Sequence, residues 1–198
     1  MGVDTPLVTW TVKFLRYLLT IGEQDKKSVI VFAHSQGAIY IEHALELMDV
    51  KERKLLRIFT FGGGSFIEPE KCHSDSHNFA SAADFVCSFA SPNYQYLALK
   101  RYYGNKSGLS EQQVIYQLAF EDAILELDTL NTKTLEMYTK SRERYYEQEF
   151  SKINHITILD PDPGSTRKHE FISDCYQDKV KELIKKKPRK SVIFFLNL

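Results

Sequence analysis

The sequence lacks the features of several large classes of protein. Only three of its 198 residues are cysteines (Cys72, Cys87 and Cys175), and this small odd number excludes a disulfide framework. No two of them have CxxC spacing, so we expect no structural zinc and no other metal. No apolar run approaches the roughly 20 residues of a membrane span, and the first residues form no basic, signal-like segment. The sequence therefore predicts a cytoplasmic protein with reduced thiols, and it leaves export by a non-classical route open.

Neither positive nor negative charge is in excess. The chain has 26 Lys and Arg residues against 26 Asp and Glu residues, so its formal net charge is zero. Without a basic field to attract phosphates, we expect no nucleic-acid partner. Hydrophobic residues make up 43% of the chain, enough for a real core, and the length fits one globular domain.

Short apolar runs alternate with segments of helical periodicity. Residues 28–33 form a continuous, partly β-branched run, which is typical of a strand buried on both faces of a parallel sheet. Similar runs follow at 55–61, 78–82 and 153–159. The first helix is predicted to begin at Pro6, with Thr5 as its N-cap, and to stop at Gly22. Further helices are predicted at 38–50, 131–150 and 171–184, and after a capping box that opens at Ser110. This alternation predicts an α/β domain with a mainly parallel sheet of about four strands, in which residues 94–152 are a helical insertion.

The strongest local signal is Ala33-His34-Ser35-Gln36-Gly37, which joins a predicted strand to a predicted helix. A serine on such a sharp turn has a strained backbone, and its hydroxyl is exposed above the sheet. The strand and the helix cross closely there, so the residues two before and two after the serine must be small, as Ala33 and Gly37 are. The alternative interpretation is a serine that caps an ordinary helix.

This segment resembles the nucleophile elbow of α/β-hydrolases, especially lipases, in which a His-Ser-x-Gly core is common. Ala33 departs from the glycine that usually begins the pattern. The run Ile58–Gly62 resembles the Thr-Phe-Gly strand end of class-3-type lipases. The chain also resembles the hydrolase-like portion of an uncharacterised family of chlamydial proteins, which implies no known substrate. The resemblance implies a partial α/β-hydrolase core and an esterase or lipase-like activity.

An acyl-transfer serine needs a base and an acid, and in this family the chain order is Ser, then Asp or Glu, then His. His169 lies in the loop after the last predicted core strand, where the resemblance places the catalytic histidine, so it is the predicted base; the alternative is a surface histidine near a helix N-cap. Asp84 follows the third strand in a segment that resembles the lipase acid loop, so it is the predicted acid; the alternative is a cap or turn residue. Asp160 and Asp162 are rival acids, although a turn beside proline explains them fully.

The remaining downstream histidines have other interpretations. His43 falls inside the predicted second helix, and His155 begins the last predicted strand. His73 and His77 flank a polar turn that imitates a metal site, but a solvated loop explains this turn better. The sequence therefore predicts a triad of Ser35, Asp84 and His169, without a cofactor.

The resemblance is incomplete before the elbow. An α/β-hydrolase normally has several earlier strands, and a loop after one of them supplies a second oxyanion donor beside the elbow. Here the backbone N–H of Gln36 is the first donor, and Gly62–Gly64 is a candidate substitute for the second, with a tight turn as the alternative. The missing strands predict an exposed edge at 28–33, open to self-association or a partner strand. The tail 192–196 is predicted to pair there or on the far edge.

These observations lead to hypotheses from different functional classes. The first is a serine hydrolase that acts on an ester or thioester of a small molecule or lipid, with the tyrosine-rich insertion as a lid. The second is a truncated, non-catalytic module that binds a protein partner through its open sheet edge. The third is an acyltransferase variant of the same elbow.

Overall fold

A single parallel sheet organises the fold. The structure, a computed structural model, describes residues 5–84, 86–87, 92–126, 132–161, 174–187 and 191–197. The strands are β1 (Ser28–His34), β2 (Leu56–Phe61), β3 (His77–Ser81), β4 (Ile156–Leu159) and β5 (Ser191–Asn197). The helices are α1 (Pro6–Asp25), α2 (Gln36–Glu46), α3 (Val50–Arg53), α4 (Pro92–Lys106), α5 (Glu111–Glu126), α6 (Thr132–Lys152) and α7 (Asp174–Lys185). The strand order is β4-β3-β2-β1-β5 and every neighbouring pair is parallel, which confirms the predicted α/β class with one strand more than expected.

The first helix begins as its sequence predicts and ends later. The Thr5 side chain accepts a hydrogen bond from the N–H of Val8 at 3.3 Å, which satisfies one of the free amides of the first turn. The helix continues past Gly22 to Asp25. Glycine at position 22 lets α1 approach β1 closely: a Cβ there would lie 2.7 Å from Cγ2 of Val29. This glycine therefore serves packing and not helix termination.

The last strand covers the edge that the sequence predicts to be open. β5 pairs with β1 along its whole length, from Ser28 opposite Ser191 to His34 opposite Asn197. The prediction of an exposed edge at residues 28–33 is therefore wrong, because the apolar tail supplies the missing neighbour. With β2 on its other side, β1 is an interior strand, and the basis for self-association through its edge disappears.

Apolar side chains cover both faces of the sheet. On one face Leu15 and Leu18 of α1 and Ile41 of α2 belong to the cluster that covers β1 and β2. On the other face Tyr176 of α7 packs against a cluster that includes Phe32. Burial on both faces explains why β1 is a continuous apolar run and not an alternating one.

Residues Asn93–Asn154 form a second compact unit, apart from the unit that contains the sheet. The predicted capping box begins α5: the N–H of Ser110 donates to Oε1 of Gln113 at 2.8 Å, and the N–H of Gln113 donates to Oγ of Ser110 at 3.3 Å. Tyr146 of α6 donates to Oδ2 of Asp122 on α5 at 2.6 Å. Within the described ranges, no helix of either unit combines the length and apolar character needed to cross a membrane.

Candidate active site

Ser35 joins β1 directly to α2. The strand ends at His34 and the helix begins at Gln36, so one residue makes the whole turn. Its φ is 52° and its ψ is −123°. Residues other than glycine seldom adopt such angles, because the side chain then crowds the backbone. The predicted strand–serine–helix arrangement is therefore present, with the strained backbone that the motif requires.

The same geometry excludes an ordinary helix cap. A serine N-cap has extended backbone angles, and its side-chain oxygen accepts a hydrogen bond from an amide of the first turn. Ser35 has a positive φ and makes no side-chain cap hydrogen bond to α2. The cap interpretation is therefore wrong for this residue.

Neighbouring backbone groups hold Ser35 in place. Its N–H donates to the carbonyl of Phe61 at 3.3 Å, and its own carbonyl accepts from the N–H of Gly64 at 2.9 Å. On the helix side, a Cβ at Gly37 would lie 2.7 Å from the carbonyl oxygen of Leu196 in β5. Glycine at position 37 therefore lets α2 begin close to the end of β5. Strain of this kind persists only where the surroundings impose it.

The Gly62–Gly64 turn is poorly suited to replace the second oxyanion donor. The N–H of Gly62 donates to the carbonyl of Phe79 at 2.9 Å, and the N–H of Gly64 donates to Ser35. Two of the three amides of this turn are thus committed to backbone carbonyls. These two amides hold the turn at Ser35 and the end of β3.

Asp84 is a buried carboxylate held by hydrogen bonds. It follows β3 and is 2% exposed. Oδ2 accepts from the hydroxyl of Tyr176 at 2.7 Å, and Oδ1 accepts from the N–H of Val86 at 3.0 Å. A buried charge is costly unless it is paired or hydrogen-bonded. These bonds satisfy both oxygens of the side chain and fix it beside the end of β3.

Gly62 lies between the serine and the acid. It directly follows Phe61, whose carbonyl binds the N–H of Ser35. A Cβ at position 62 would lie 2.6 Å from Oδ2 of Asp84. Because β1, β2 and β3 are parallel, their carboxyl ends meet at one edge of the sheet, where α/β proteins bind their ligands. The structure thus brings Ser35 and Asp84 to the same edge of the sheet. Since β2 lies between β1 and β3, the ends of those two strands are separated by two strand spacings, on the order of 10 Å.

The predicted base, His169, lies outside the described residues, as does the rival acid Asp162. His77 and His155 lie at the amino ends of β3 and β4, where the N–H of Asn78 donates to the carbonyl of His155 at 2.8 Å. That is the end of the sheet opposite the elbow. The position of His155 therefore agrees with its rejection as the base.

The other histidines considered from the sequence lie beside carboxylates close to them in the chain. Nδ1 of His43 is 3.9 Å from Oε2 of Glu46, and Nδ1 of His73 is 3.9 Å from Oδ2 of Asp75. Asp160, the other rival acid, is exposed at the end of β4. In the part of the chain that the structure describes, no group of three or more His, Cys, Asp or Glu side chains is placed to hold a metal ion.

The cysteines are poor candidates for a nucleophile. All three are free thiols, and Cys72 and Cys87 are buried. Burial raises the pKa of both buried thiols above the usual range. Since the thiolate is the reactive form, we assign these two cysteines to packing.

Two contributors to the site carry no signal in the sequence. Tyr176 belongs to the helical periodicity of α7 and Gly62 to a glycine run, so neither suggests a contact with Asp84. Compared with family models, curated proteins and solved structures, the chain matches none of them. The geometry around Ser35 and Asp84 is therefore what indicates its chemistry.

Proposed function

We propose that this protein is a serine hydrolase of the α/β-hydrolase type, which cleaves an ester or thioester of a small molecule or lipid. One observation carries the proposal: Ser35 has a φ of 52° and a ψ of −123° between a parallel strand and a helix. Strain at a residue other than glycine costs on the order of 1–3 kcal/mol, and it is concentrated at functional sites. In a nucleophile elbow this strain presents the hydroxyl above the sheet.

The proposed reaction proceeds through an acyl-enzyme. Oγ of Ser35 attacks the acyl carbon while His169 accepts the hydroxyl proton, and His169 returns that proton to the leaving alcohol or thiol. Asp84 orients the imidazole and stabilises its protonated form. Water then attacks the acyl-enzyme, again with His169 as the base, and releases the acid and the free serine.

We expect the proposed site to stabilise the oxyanion less well than a typical α/β-hydrolase does. The proposed donor is the N–H of Gln36, at the positive end of the α2 dipole. The side-chain amide of Gln36 donates to the hydroxyl of Tyr40 at 3.0 Å. Loss of one of two oxyanion donors typically reduces turnover by about 10²–10³. We therefore expect slow turnover of ordinary esters and better reaction with strongly activated acyl or phosphonyl groups.

Covalent labelling with a fluorophosphonate tests the proposal. The probe forms a stable bond with an activated serine hydroxyl and demands less oxyanion stabilisation than an ordinary ester. We expect labelling of the wild type at Ser35, located by peptide mass spectrometry, and none in Ser35→Ala. Ser141→Ala, which removes an exposed hydroxyl from α6, is the matched control and should label normally.

A folded wild-type protein that no activated probe labels at Ser35 would overturn the proposal. That result would favour the non-catalytic interaction module. At present no observation favours that second function, because the open edge on which it depends is covered by β5.

A further inference from the structure

We propose that Tyr176 is a positioning residue of this site, which holds the carboxylate of Asp84 in the orientation that the catalytic base needs. The inference rests on the proposed serine hydrolase and adds a residue to its machinery. Tyr176 lies near the start of α7, the helix that follows the predicted base in the chain. Its hydroxyl donates to Oδ2 of Asp84 at 2.7 Å.

The hydroxyl of Tyr176 has a fixed direction. Its oxygen accepts the N–H of Ser81, the last residue of β3, at 3.0 Å. The amide therefore occupies one side of the oxygen, and the phenolic proton points to Asp84. Burial raises the pKa of the phenol far above its usual range, so Tyr176 keeps its proton and remains a hydrogen-bond donor near neutral pH.

The ring of Tyr176 is held as firmly as its hydroxyl. The side chain is fully buried, and it packs edge-on against Phe61 with ring centroids 6.0 Å apart. It also lies edge-on to His34, the residue before the serine, at 6.1 Å. Tyr176 thus contacts the strand end beside the nucleophile as well as the acid, and it connects the two through a rigid aromatic ring.

The two anchors of Asp84 fix the plane of its carboxylate. Val86 donates to Oδ1 and Tyr176 donates to Oδ2, so rotation of the carboxylate breaks both hydrogen bonds. A carboxylate oxygen carries two lone pairs and can accept more than one hydrogen bond. Loss of the tyrosine hydroxyl would free one oxygen and let the acid turn away from the base.

A merely structural role for Tyr176 predicts a different result, and the chain offers a matched control. Tyr146 is 8% exposed and donates to Oδ2 of Asp122 at 2.6 Å, in the other compact unit. Tyr176→Phe and Tyr146→Phe each remove one hydroxyl from a tyrosine–aspartate pair. Both should lower the free energy of unfolding, but only the first should slow the chemistry at Ser35.

The experiment measures fluorophosphonate inactivation over a range of probe concentrations, which separates kinact from KI, beside urea unfolding of each variant. Rates are normalised to the folded fraction. We expect Tyr176→Phe to lower kinact by about tenfold, equivalent to about 1.4 kcal/mol, with KI unchanged. Tyr146→Phe should retain both values.

A wild-type kinact in folded Tyr176→Phe, or an equal loss in Tyr146→Phe, would overturn the inference and leave the proposed function standing. Absence of labelling in the wild type would instead overturn the proposed function and the role of Tyr176 with it. If Tyr176→Phe does not fold, 3-fluorotyrosine at position 176 preserves the ring and hydroxyl but alters donor strength. A changed kinact then supports the inference, and an unchanged one overturns it.

Discussion

Residue 62 and Asp84 are so close that only glycine fits between β2 and the acid. A Cβ at Gly62 would lie 2.6 Å from Oδ2 of Asp84 and 3.0 Å from the hydroxyl of Tyr176. The φ of Gly62 is 54°, which independently favours glycine. Because Phe61 binds the amide of Ser35, this short segment connects the serine to the acid.

Gly62→Ala should therefore destabilise the protein by about 3 kcal/mol, from left-handed backbone strain plus overpacking against Asp84. Gly108→Ala is the matched control, since its φ is 79° but a Cβ there would contact nothing within 4 Å. We expect that control to lose only about 1–2 kcal/mol, the strain alone. Urea unfolding measures both values, and equal losses would contradict the contact with Asp84.

The strain at Ser35 predicts an unusual ranking of variants. Ser35→Ala and Ser35→Gly both delete the hydroxyl, but only glycine relieves the strain of a positive φ. Strain relief of about 1–3 kcal/mol exceeds the entropic cost of glycine, roughly 0.5–1 kcal/mol. Ser35→Gly should therefore be about 1 kcal/mol more stable than Ser35→Ala by urea unfolding. The reverse order would show that the backbone at residue 35 is relaxed.

β5 protects β1 from intermolecular pairing. Removal of residues 191–198 should expose the apolar edge of β1, and exposed edges of this kind associate with other chains. We expect the shortened chain to elute as oligomers or to precipitate at concentrations where the full chain elutes as a smaller species. Size-exclusion chromatography coupled to light scattering measures the difference.

A point variant controls for the loss of apolar surface in that deletion. Phe195→Ala removes a side chain that is 51% exposed and leaves the backbone of β5 able to pair with β1. It should behave as the full chain does. Association of this variant to the same extent would implicate the apolar side chains and not the uncovered strand edge.

Lys187 makes stability depend on pH above neutrality. Burial, aided by the like charge of Arg57, lowers the pKa of Lys187 to about 8, although Asp75 opposes the shift. The contact of its ammonium with the Phe59 ring, 3.8 Å from the centroid, favours the charged form and also opposes the shift. In the unfolded chain the pKa returns to about 10.5. Between these two values the unfolded state binds more protons, so the free energy of unfolding should rise with pH from about 8 to about 10.

Lys187→Met should abolish that rise, whereas Lys13→Met, which changes an exposed lysine of α1, should preserve it. Urea unfolding at pH 7, 8, 9 and 10 measures the effect. In addition, an amine-acylating reagent at pH 8 should modify Lys187 earlier than the other lysines, because the neutral amine is the nucleophile. A flat stability profile in the wild type would contradict the lowered pKa.

Local patterns in the sequence were enough to predict β1, the turn at Ser35 and the start of α5. The apolar run before Ser35, the small residues Ala33 and Gly37, and the reciprocal bonds of Ser110 and Gln113 involve neighbours a few residues apart. Their physical causes are burial on two faces, close crossing of strand and helix, and unsatisfied amides in the first turn of a helix. Each pattern involves residues that are close together in the chain and can be recognised there, even where distant segments such as α7 supply the burial.

Tertiary structure alone decided which distant segments meet. Ser28 pairs with Ser191, and Tyr176 binds Asp84, across 163 and 92 residues of sequence. An apolar, β-branched tail can pair with either edge of a sheet. A tyrosine in a helix has the same sequence periodicity whether it binds an acid or packs in a core. These choices depend on packing of the whole sheet and on satisfaction of every buried polar group. The sequence therefore predicts Ser35 and Asp84 as a nucleophile and an acid, and the folded chain shows that Phe61 and Gly64 bind the backbone of Ser35 and that Tyr176 binds Asp84.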